Sequence, residues 1–376
     1  MKRSDVDAYS YATKCVHGRC YEQATHFTRP PLVFSNINTS GADYFYSRYQ
    51  NYNAEVLESH LASLYEVDPE LVTVTSSGMS AFARVLDEAI DSSRSYLGCK
   101  PHIILAKDAF EELKQCARLY KDILELELVD LHDLSILKSR LKANTILIVL
   151  EGMSNPLYKT YDIPAICNLA KTIHNCRVAV DNSMLTSYYY NPFKDGADIV
   201  FESLSKYTCG SGDVLGGVVL GVKRNNFSTM RGETLPPFSA WLLQRGITTL
   251  PLRLDKISTN AGKVVQVLQK FTPHVLWGGK TGMITLSFGS EDLNRSFLTS
   301  LKLLTHTDSY GYEESLISMN WGGFNTKFDP PYDTHLRISI GLEDVGDIIR
   351  DLTQAYTSMN SNAQNNSPSL ASPEAL

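Results

Sequence analysis

The distribution of apolar side chains over residues 71–222 predicts alternating strands and helices. Short apolar runs rich in β-branched side chains recur there, and amphipathic stretches with helical spacing separate them. About seven of the runs are typical of buried strands, because both faces of such strands are apolar. Strands are expected at residues 71–75, 102–106, 124–129, 145–150, 178–180, 199–202 and 217–220. This alternation predicts an α/β fold whose mostly parallel sheet is covered by helices on both faces.

Beyond Pro236 the pattern changes and predicts a smaller α+β domain. Helices are expected at 250–271, 293–304 and 343–356, and strands at 283–288 and 336–340. Residues before 46 lack periodicity, as an extended arm does, and residues after 357 have the polar composition of a disordered tail. The predicted organisation is an arm (1–45), an α/β domain (46–235), an α+β domain (236–357) and a disordered tail (358–376).

Charge and composition exclude several classes of protein. The 376 residues carry a net charge of −6 without acidic or basic blocks, which gives no footprint for nucleic acid or an anionic membrane. No apolar run is long enough to span a bilayer, and the polar amino terminus lacks a signal-peptide pattern, so a cytosolic protein is expected. Seven cysteines without C-x-x-C and histidines without ligand spacing predict neither a disulfide framework nor a metal site. A small-molecule partner is expected.

Polar side chains follow several of the predicted strands, where open α/β sheets carry their chemistry. Lys206 comes after one strand and Asp181 after another. A lysine there is most often a solvated loop residue, but a partly desolvated one has a lowered pKa and can form a Schiff base with a carbonyl. The turn 76–78 opens a helix, whose first N–H groups can cradle a phosphate, although many such turns bind nothing. An amine, a carboxylate for a pyridine nitrogen and a phosphate cradle are what pyridoxal phosphate requires.

Motifs spread from about Thr13 to Tyr356 closely resemble the trans-sulfuration family of pyridoxal-phosphate enzymes. That family includes cystathionine γ-synthase, cystathionine γ- and β-lyases and methionine γ-lyase. The resemblance implies the type I, aspartate aminotransferase-like fold, with a large seven-stranded domain and a smaller α+β domain. It also implies pyridoxal 5'-phosphate as cofactor. The motifs are Tyr46-Ser47-Arg48, Ser76-Ser77-Gly78-Met79, Glu151 through Asn155-Pro156, Asp181-Asn182-Ser183, Ser203-Leu204-Ser205-Lys206-Tyr207, 213–217, 240–246 and 336–344.

The resemblance also implies roles for particular residues. Lys206 would carry the cofactor and move protons, Asp181 would face its ring nitrogen, and Phe110 would stack on its ring. The amides of Gly78 and Met79, with Ser203 and Ser205, would hold its phosphate, while Asn155 would bond its ring hydroxyl. Tyr46 and Arg48 would reach the phosphate of a neighbouring subunit, so a homodimer would be the minimal active unit and two dimers would form a tetramer. Arg337, with Ser309 beside it, would bind the substrate carboxylate.

Departures from the family pattern bear on the substrate. Phe110 stands where the family usually has a tyrosine, so stacking is kept and a phenolic proton donor is lost. Asp308 matches an acidic position of cystathionine-handling members and would meet a distal ammonium group, or it is a solvated loop acid. Tyr310 and Tyr312 replace smaller residues. We therefore expect elimination or replacement at the γ (or β) carbon of a sulfur-containing or γ-activated amino acid, favouring a group that leaves as a stable anion.

Two other interpretations share the cofactor. One is a catalytically silent relative that binds pyridoxal phosphate and acts through protein contacts, against which intact Lys206, Asp181 and Arg337 argue. The other is an aminotransferase, which predicts a pyridoxamine form on mixing with an amino donor.

Overall fold

The computed structural model describes residues 9–18, 30–37, 44–94, 97–223, 231–319 and 334–365. The chain forms two compact units, Met1–Leu254 and Asp255–Leu376. The sequence placed this boundary at residue 236. It lies further along because Ala240, Leu243 and Ile247 pack into the apolar core of the first unit.

The first unit contains a seven-stranded sheet, as the sequence predicted. Its strands lie in the order β1-β7-β6-β5-β4-β2-β3. Only β7 runs antiparallel to its neighbours, so the carboxyl ends of the other six strands lie at one edge. The strands are β1 Val72–Thr75, β2 His102–Ala106, β3 Glu125–Val129, β4 Thr145–Glu151, β5 Arg177–Asp181, β6 Ile199–Ser203 and β7 Gly217–Leu220.

Helices of the first unit pack against this sheet and complete two apolar cores. One core joins β2, β4 and β5 to α3, and the other joins β1 and β7 to α2 and α8. Polar side chains start several helices, as at Asn51, whose amide oxygen accepts the Ala54 N–H at 2.9 Å. The helices are α1 Tyr11–His17, α2 Tyr52–Tyr65, α3 Gly78–Ser93, α4 Glu111–Arg118, α5 Leu134–Arg140, α6 Ile163–Ala170, α7 Thr186–Tyr189 and α8 Pro237–Thr248.

The second unit is an α+β layer with a five-stranded sheet in the order β10-β11-β12-β9-β8. Its core residues come from β9, β11, β12 and the helices. The sequence predicted two of these five strands, β9 and β12, and missed β8, β10 and β11; β8 has three residues, β10 only two and β11 four. The strands are β8 Val275–Trp277, β9 Met283–Leu286, β10 Thr305–His306, β11 Leu316–Met319 and β12 Leu336–Ser339. The helices are α9 Leu250–Phe271, within which the unit boundary falls, α10 Glu291–Ser300 and α11 Val345–Asn365.

Both chain ends carry more helix than the sequence indicated. The predicted arm contains α1, which is anchored because Cys15 is fully buried. The predicted tail begins inside α11, since Met359 continues the buried stripe of Ile348, Leu352 and Ala355; residues 366–376 lie outside the described residues. Among the segments that the structure describes, no helix combines the length and the apolar character needed to cross a membrane.

Candidate active site

Asp181 ends β5 at the carboxyl edge of the first sheet. Its Oδ1 accepts hydrogen bonds from the Ser183 amide at 2.9 Å and from the Ser183 hydroxyl at 2.6 Å. Burial nevertheless raises the pKa of Asp181 to about 6, against the opposing effect of these two bonds. The site therefore disfavours the ionised carboxylate until a cationic group lies beside it.

Ser183 connects this carboxylate to the neighbouring strand. Its hydroxyl donates to Asp181 and accepts the Ser203 N–H at 2.7 Å. The end of β6 is thereby tied to the end of β5 by a side chain as well as by the sheet. No separate role was predicted for Ser183, since a serine two residues after a strand is an ordinary loop residue.

The turn before α3 lies directly against Ser203. A Cβ on Gly78 would come 2.7 Å from Ser203 Cβ, and one on Gly217 would come 2.1 Å from the Ser77 carbonyl oxygen, so both positions need glycine. The Ser77 hydroxyl accepts the Ser80 N–H at 3.0 Å and begins the helix. The N–H groups of Gly78 and Met79 are in the first turn, where the helix itself supplies no acceptor. Four of the predicted site residues, Asp181, Ser203, Gly78 and Met79, are thus brought together.

Lys206 lies in the turn that follows β6. Its N–H donates to the Ser203 carbonyl at 3.3 Å, and its own carbonyl accepts the Gly210 N–H at 2.9 Å. The lysine side chain is half-buried. Ser205 is more deeply buried, and its hydroxyl accepts the Gly216 N–H at 3.0 Å and donates to the Gly216 carbonyl at 3.3 Å. Its contact with a phosphate stays a prediction.

The end of β4 adds Glu151 and Asn155. Burial, with the nearby carboxylates of Asp181 and Asp108, raises the pKa of Glu151 well above its usual range, although the Phe110 N–H donates to it. Asn155 is buried, and its Oδ1 has no donor among the described residues. The half-buried Phe110 starts α4 and packs on the core of the sheet. Asn155 follows the end of β4 and Phe110 follows the end of β2, at the same edge of the sheet as Asp181.

Tyr46 and Arg48 occupy a turn in the segment before α2. The exposed Arg48 guanidinium lies 5.4 Å from the ring centre of Tyr46 and 4.9 Å from that of Tyr49. The Thr234 hydroxyl donates to the Arg48 carbonyl at 2.5 Å and holds the turn. The exposed position of Arg48 leaves its contact with a neighbouring subunit as a prediction.

The predicted substrate-binding residues lie in the second unit. Arg337 is on β12 and only 2% exposed. Its Nη2 donates to the Ser309 carbonyl at 3.3 Å, and its guanidinium lies 5.9 Å from the ring centre of Tyr310. The Ser309 hydroxyl donates to the Tyr312 hydroxyl at 2.6 Å, while Asp308 is exposed. Ser309 therefore lies beside Arg337, as the sequence predicted.

The residues of the first unit fit pyridoxal phosphate. The glycine-lined start of α3 suits a phosphate, because a helix of this length presents free N–H groups and a positive dipole end. The unfavourable burial of the Asp181 charge is relieved by a protonated ring nitrogen. The unsatisfied Asn155 oxygen marks a buried polar position that a ligand can complete.

Comparison with known proteins identifies a matching family and similar relatives. The model of the family described as Cys/Met metabolism PLP-dependent enzyme matches residues 10–279 and 274–357. The canavanine gamma-lyase of Pseudomonas canavaninivorans is 31% identical, covering 94% of this chain and 98% of that protein. The cystathionine gamma-synthase of Haemophilus influenzae is 32% identical, covering 84% of this chain and 87% of that protein.

A solved structure supports the same relationship. The crystal structure of metB from Corynebacterium glutamicum matches with a TM-score of 0.82 at 27% identity, covering 94% of this chain and 99% of that one. The type I fold predicted from the sequence is therefore confirmed.

Proposed function

We propose that this chain, which belongs to the Cys/Met metabolism family of PLP-dependent enzymes, eliminates or replaces a substituent at the γ (or β) carbon of an amino acid. The observation that carries the proposal is the cluster of Asp181, Ser203 and Gly78 beside the turn of Lys206. Pyridoxal phosphate, when bound, withdraws electrons from the substrate and so makes its Cα and Cβ protons acidic. The remaining chemistry falls to the side chains of this chain.

The residues of the first unit would divide this chemistry among them. Lys206 would bind the cofactor through its ε-amine and then move protons at the substrate carbons. Asp181 would keep the ring nitrogen charged, and the Gly78 and Met79 N–H groups would bind the phosphate. Phe110 would stack on the ring. Further bonds to the cofactor are assigned to Asn155, Ser203 and Ser205.

Substrate binding is assigned to the second unit. Arg337 would hold the substrate carboxylate, because its planar guanidinium can donate two parallel hydrogen bonds. Its contact with the Ser309 carbonyl and the Tyr310 ring supports a fixed orientation. The exposed Asp308 would attract a cationic group at the far end of the substrate. With or without a contribution from Asp308, the expected partner is a small-molecule amino-acid substrate.

Phe110 favours substrates whose leaving group departs as a stable anion. A phenylalanine cannot donate a proton, so a thiolate would leave without help at that position, whereas a carboxylate or phosphate needs none. The relatives reported above act at a γ carbon according to their names. An O-acyl-homoserine type of substrate is therefore favoured over a thioether. A silent relative and an aminotransferase are both less favoured, since these relatives are a lyase and a synthase.

A homodimer is the proposed active unit, and two dimers would form a tetramer. Four exposed apolar side chains lie on the segment around Tyr46 and at the start of α8: Phe34 at 69%, Ile37 and Phe45 at 59% and Phe238 at 47%. Phe34 and Phe238 stack with their centres 6.4 Å apart, which brings the two segments together. A patch of this kind is typical of a protein interface. A cytosolic location stays a prediction.

The test is a substrate comparison with purified, cofactor-loaded enzyme. We expect O-acyl-homoserines to release 2-oxobutyrate and ammonia, or to form a thioether when a thiol is added, faster than cystathionine is cleaved. A clear preference for cystathionine would contradict the leaving-group assignment. Absence of turnover across γ- and β-substituted amino acids would contradict the proposed enzyme, and formation of a pyridoxamine product would point to transamination.

A further inference from the structure

A second carboxylate lies behind the proposed cofactor site. Glu202 is in β6, one residue before Ser203, and only 1% of its surface is exposed. Its Oε2 accepts the Tyr65 hydroxyl at 2.7 Å, and its Oε1 accepts a short hydrogen bond from the Thr208 hydroxyl. Both oxygens of this carboxylate are therefore used by hydroxyl donors, one on α2 and one in the turn after Lys206.

The hydrogen-bond chain continues to the segment that carries Asp181. The Tyr65 hydroxyl accepts the side-chain amide of Asn182 at 3.0 Å, and the Asn182 N–H donates to the Phe201 carbonyl at 2.9 Å. Asn182 directly follows Asp181. A single buried carboxylate thus connects the turn of Lys206, through Thr208, with the strand end that presents Asp181.

The same turn is held from a second direction. The Arg253 guanidinium donates to the Tyr207 carbonyl at 2.7 Å and to the Thr208 carbonyl at 3.3 Å. Thr208 is therefore fixed through its main chain by Arg253 and through its side chain by Glu202. Arg253 thus holds the main chain of the turn, whereas the hydrogen bonds through Glu202 and Tyr65 extend to Asn182, next to Asp181.

We propose that Glu202 is a positioning residue, which holds the amine of Lys206 and the carboxylate of Asp181 in one arrangement and releases this hold when it takes up a proton. The inference rests on the proposed function, because the two positioned groups are those assigned to pyridoxal phosphate. Ionised Glu202 accepts from both hydroxyls. When Glu202 is protonated, one of its oxygens donates, so the hydroxyl facing that oxygen must change from donor to acceptor and its charge-assisted bond is lost.

The charge state of Glu202 changes near neutral pH. Burial raises the pKa of Glu202 to about 7, while its bonds from Thr208 and Tyr65 oppose the rise and the Asp181 charge adds to it. The other titratable groups facing it are Tyr65 on α2 and Tyr11 on α1, whose pKa values burial raises well above their usual range. These phenols stay neutral, so the protonation of Glu202 determines whether the chain of hydrogen bonds is intact.

Two measurable quantities then change in opposite directions. A carboxyl whose pKa is raised by folding contributes stability below its ordinary pKa, and that contribution is lost as the pH rises through about 7. Over the same pH interval the hydrogen bonds that position the turn of Lys206 become stronger, because Glu202 becomes ionised. A purely structural role would instead lower stability and cofactor affinity together.

The experiment titrates apoprotein with pyridoxal phosphate between about pH 6 and about pH 8.5 and follows the visible absorbance of the lysine-bound cofactor. Because loss of a hydrogen bond to a charged group is the expected change, Glu202→Gln should bind about tenfold more weakly at the upper pH. Its affinity should also lack the inflection near pH 7 that we expect for the wild type. Lys206, Asp181 and the cofactor are present in both proteins, so an inflection lost in the variant belongs to Glu202 or to its charge coupling with Asp181.

A matched control is Asp351→Asn in the second unit. Asp351 is also buried, and its carboxylate accepts the Lys302 and Leu303 N–H groups at 2.9 Å. This variant should lose stability and keep the wild-type pH profile of cofactor binding. A Glu202→Gln variant with the affinity and pH profile of the wild type would overturn the positioning role.

Two further variants decide the question if Glu202→Gln does not fold. Tyr65→Phe and Thr208→Val each remove one of the two hydroxyl donors. Weaker cofactor binding with a changed pH profile in either would support the proposal, and unchanged binding in both would overturn it. A wild-type protein that takes up no cofactor would instead overturn the proposed function itself.

Discussion

The two units present their candidate site residues in different ways. In the first unit, Asp181 and Ser203 end adjacent strands and Gly78 begins a helix, so the backbone of regular elements fixes them. In the second unit, only Arg337 lies on a strand, and Ser309 and Asp308 lie in the loop after β10. Loops tolerate change better than the elements they connect.

The difference indicates that the residues for the chemistry lie on regular elements, whereas residues for substrate specificity lie in a loop. Apart from Phe110, the residues assigned to the cofactor resemble the family pattern, and short bonds such as that from the Ser203 N–H to the Ser183 hydroxyl tie their strands together. The departures Tyr310 and Tyr312 lie in the loop of the second unit beside Arg337. We therefore expect changes in the first unit, with the exception of Phe110, to remove activity and changes in the second to alter substrate binding.

Lys206→Ala should have the largest effect. Without its amine the protein loses both the covalent attachment of the cofactor and the group that moves protons, so turnover should fall by roughly 10⁴-fold or more. Single-turnover assays on the variant soaked in cofactor measure this fall in turnover. Turnover within about tenfold of the wild type would show that another amine does the work.

Asp181→Asn should have opposite effects on the stability of the apoprotein and on turnover. In the apoprotein the raised pKa of Asp181 means that its contribution to stability is lost as the pH rises through about 6, so removing the charge should raise the melting temperature at pH 8. Turnover should nevertheless fall by roughly 10²- to 10³-fold, because the ring nitrogen loses its anionic partner. Thermal melts of apoprotein and kinetics of the loaded enzyme test both parts. A variant that loses stability at pH 8 would contradict the account.

Arg337→Lys should affect substrate binding more than chemistry. Lysine keeps the charge but not the two-pronged geometry, so KM should rise by about 10- to 100-fold while kcat changes less. Arg295→Lys is the control, since Arg295 is an exposed arginine of the same unit paired with Glu291. If KM stayed at the wild-type value, another residue would have to bind the carboxylate.

Phe110→Tyr should have the smallest effect of these substitutions, and this effect should be a change in substrate preference. Restoring a phenol should raise turnover of cystathionine relative to an O-acyl-homoserine by about tenfold, because only the thiolate benefits from a proton donor. Competition assays with both substrates measure the ratio. The same ratio in both proteins would remove Phe110 from the explanation of substrate choice.

Residues that act through backbone position were predictable from the sequence. Lys206 and Asp181 follow apolar strands and Gly78 opens a helix, so the pattern of strands places them at one edge. The parallel strands β2 and β4 were predictable because their apolar runs are long and fully buried, whereas the very short β8 and β10 left no such pattern.

Residues that act through side-chain contacts were not predictable. Ser183 bridges two strands only because of the direction of its hydroxyl. Glu202 sits inside a run that reads as an apolar strand, and its partner Tyr65 is far away in sequence. A charged residue within a buried strand was the one signal available for it.

The central claim is that the amine of Lys206 binds pyridoxal phosphate. The direct measurement is to load the protein with the vitamer, reduce the lysine–cofactor bond with borohydride, digest the chain and map the modified peptide by mass spectrometry. We expect a pyridoxyl phosphate group on Lys206, with Lys223 and Lys194 unmodified. A label on another lysine, or no label after reduction, would contradict it.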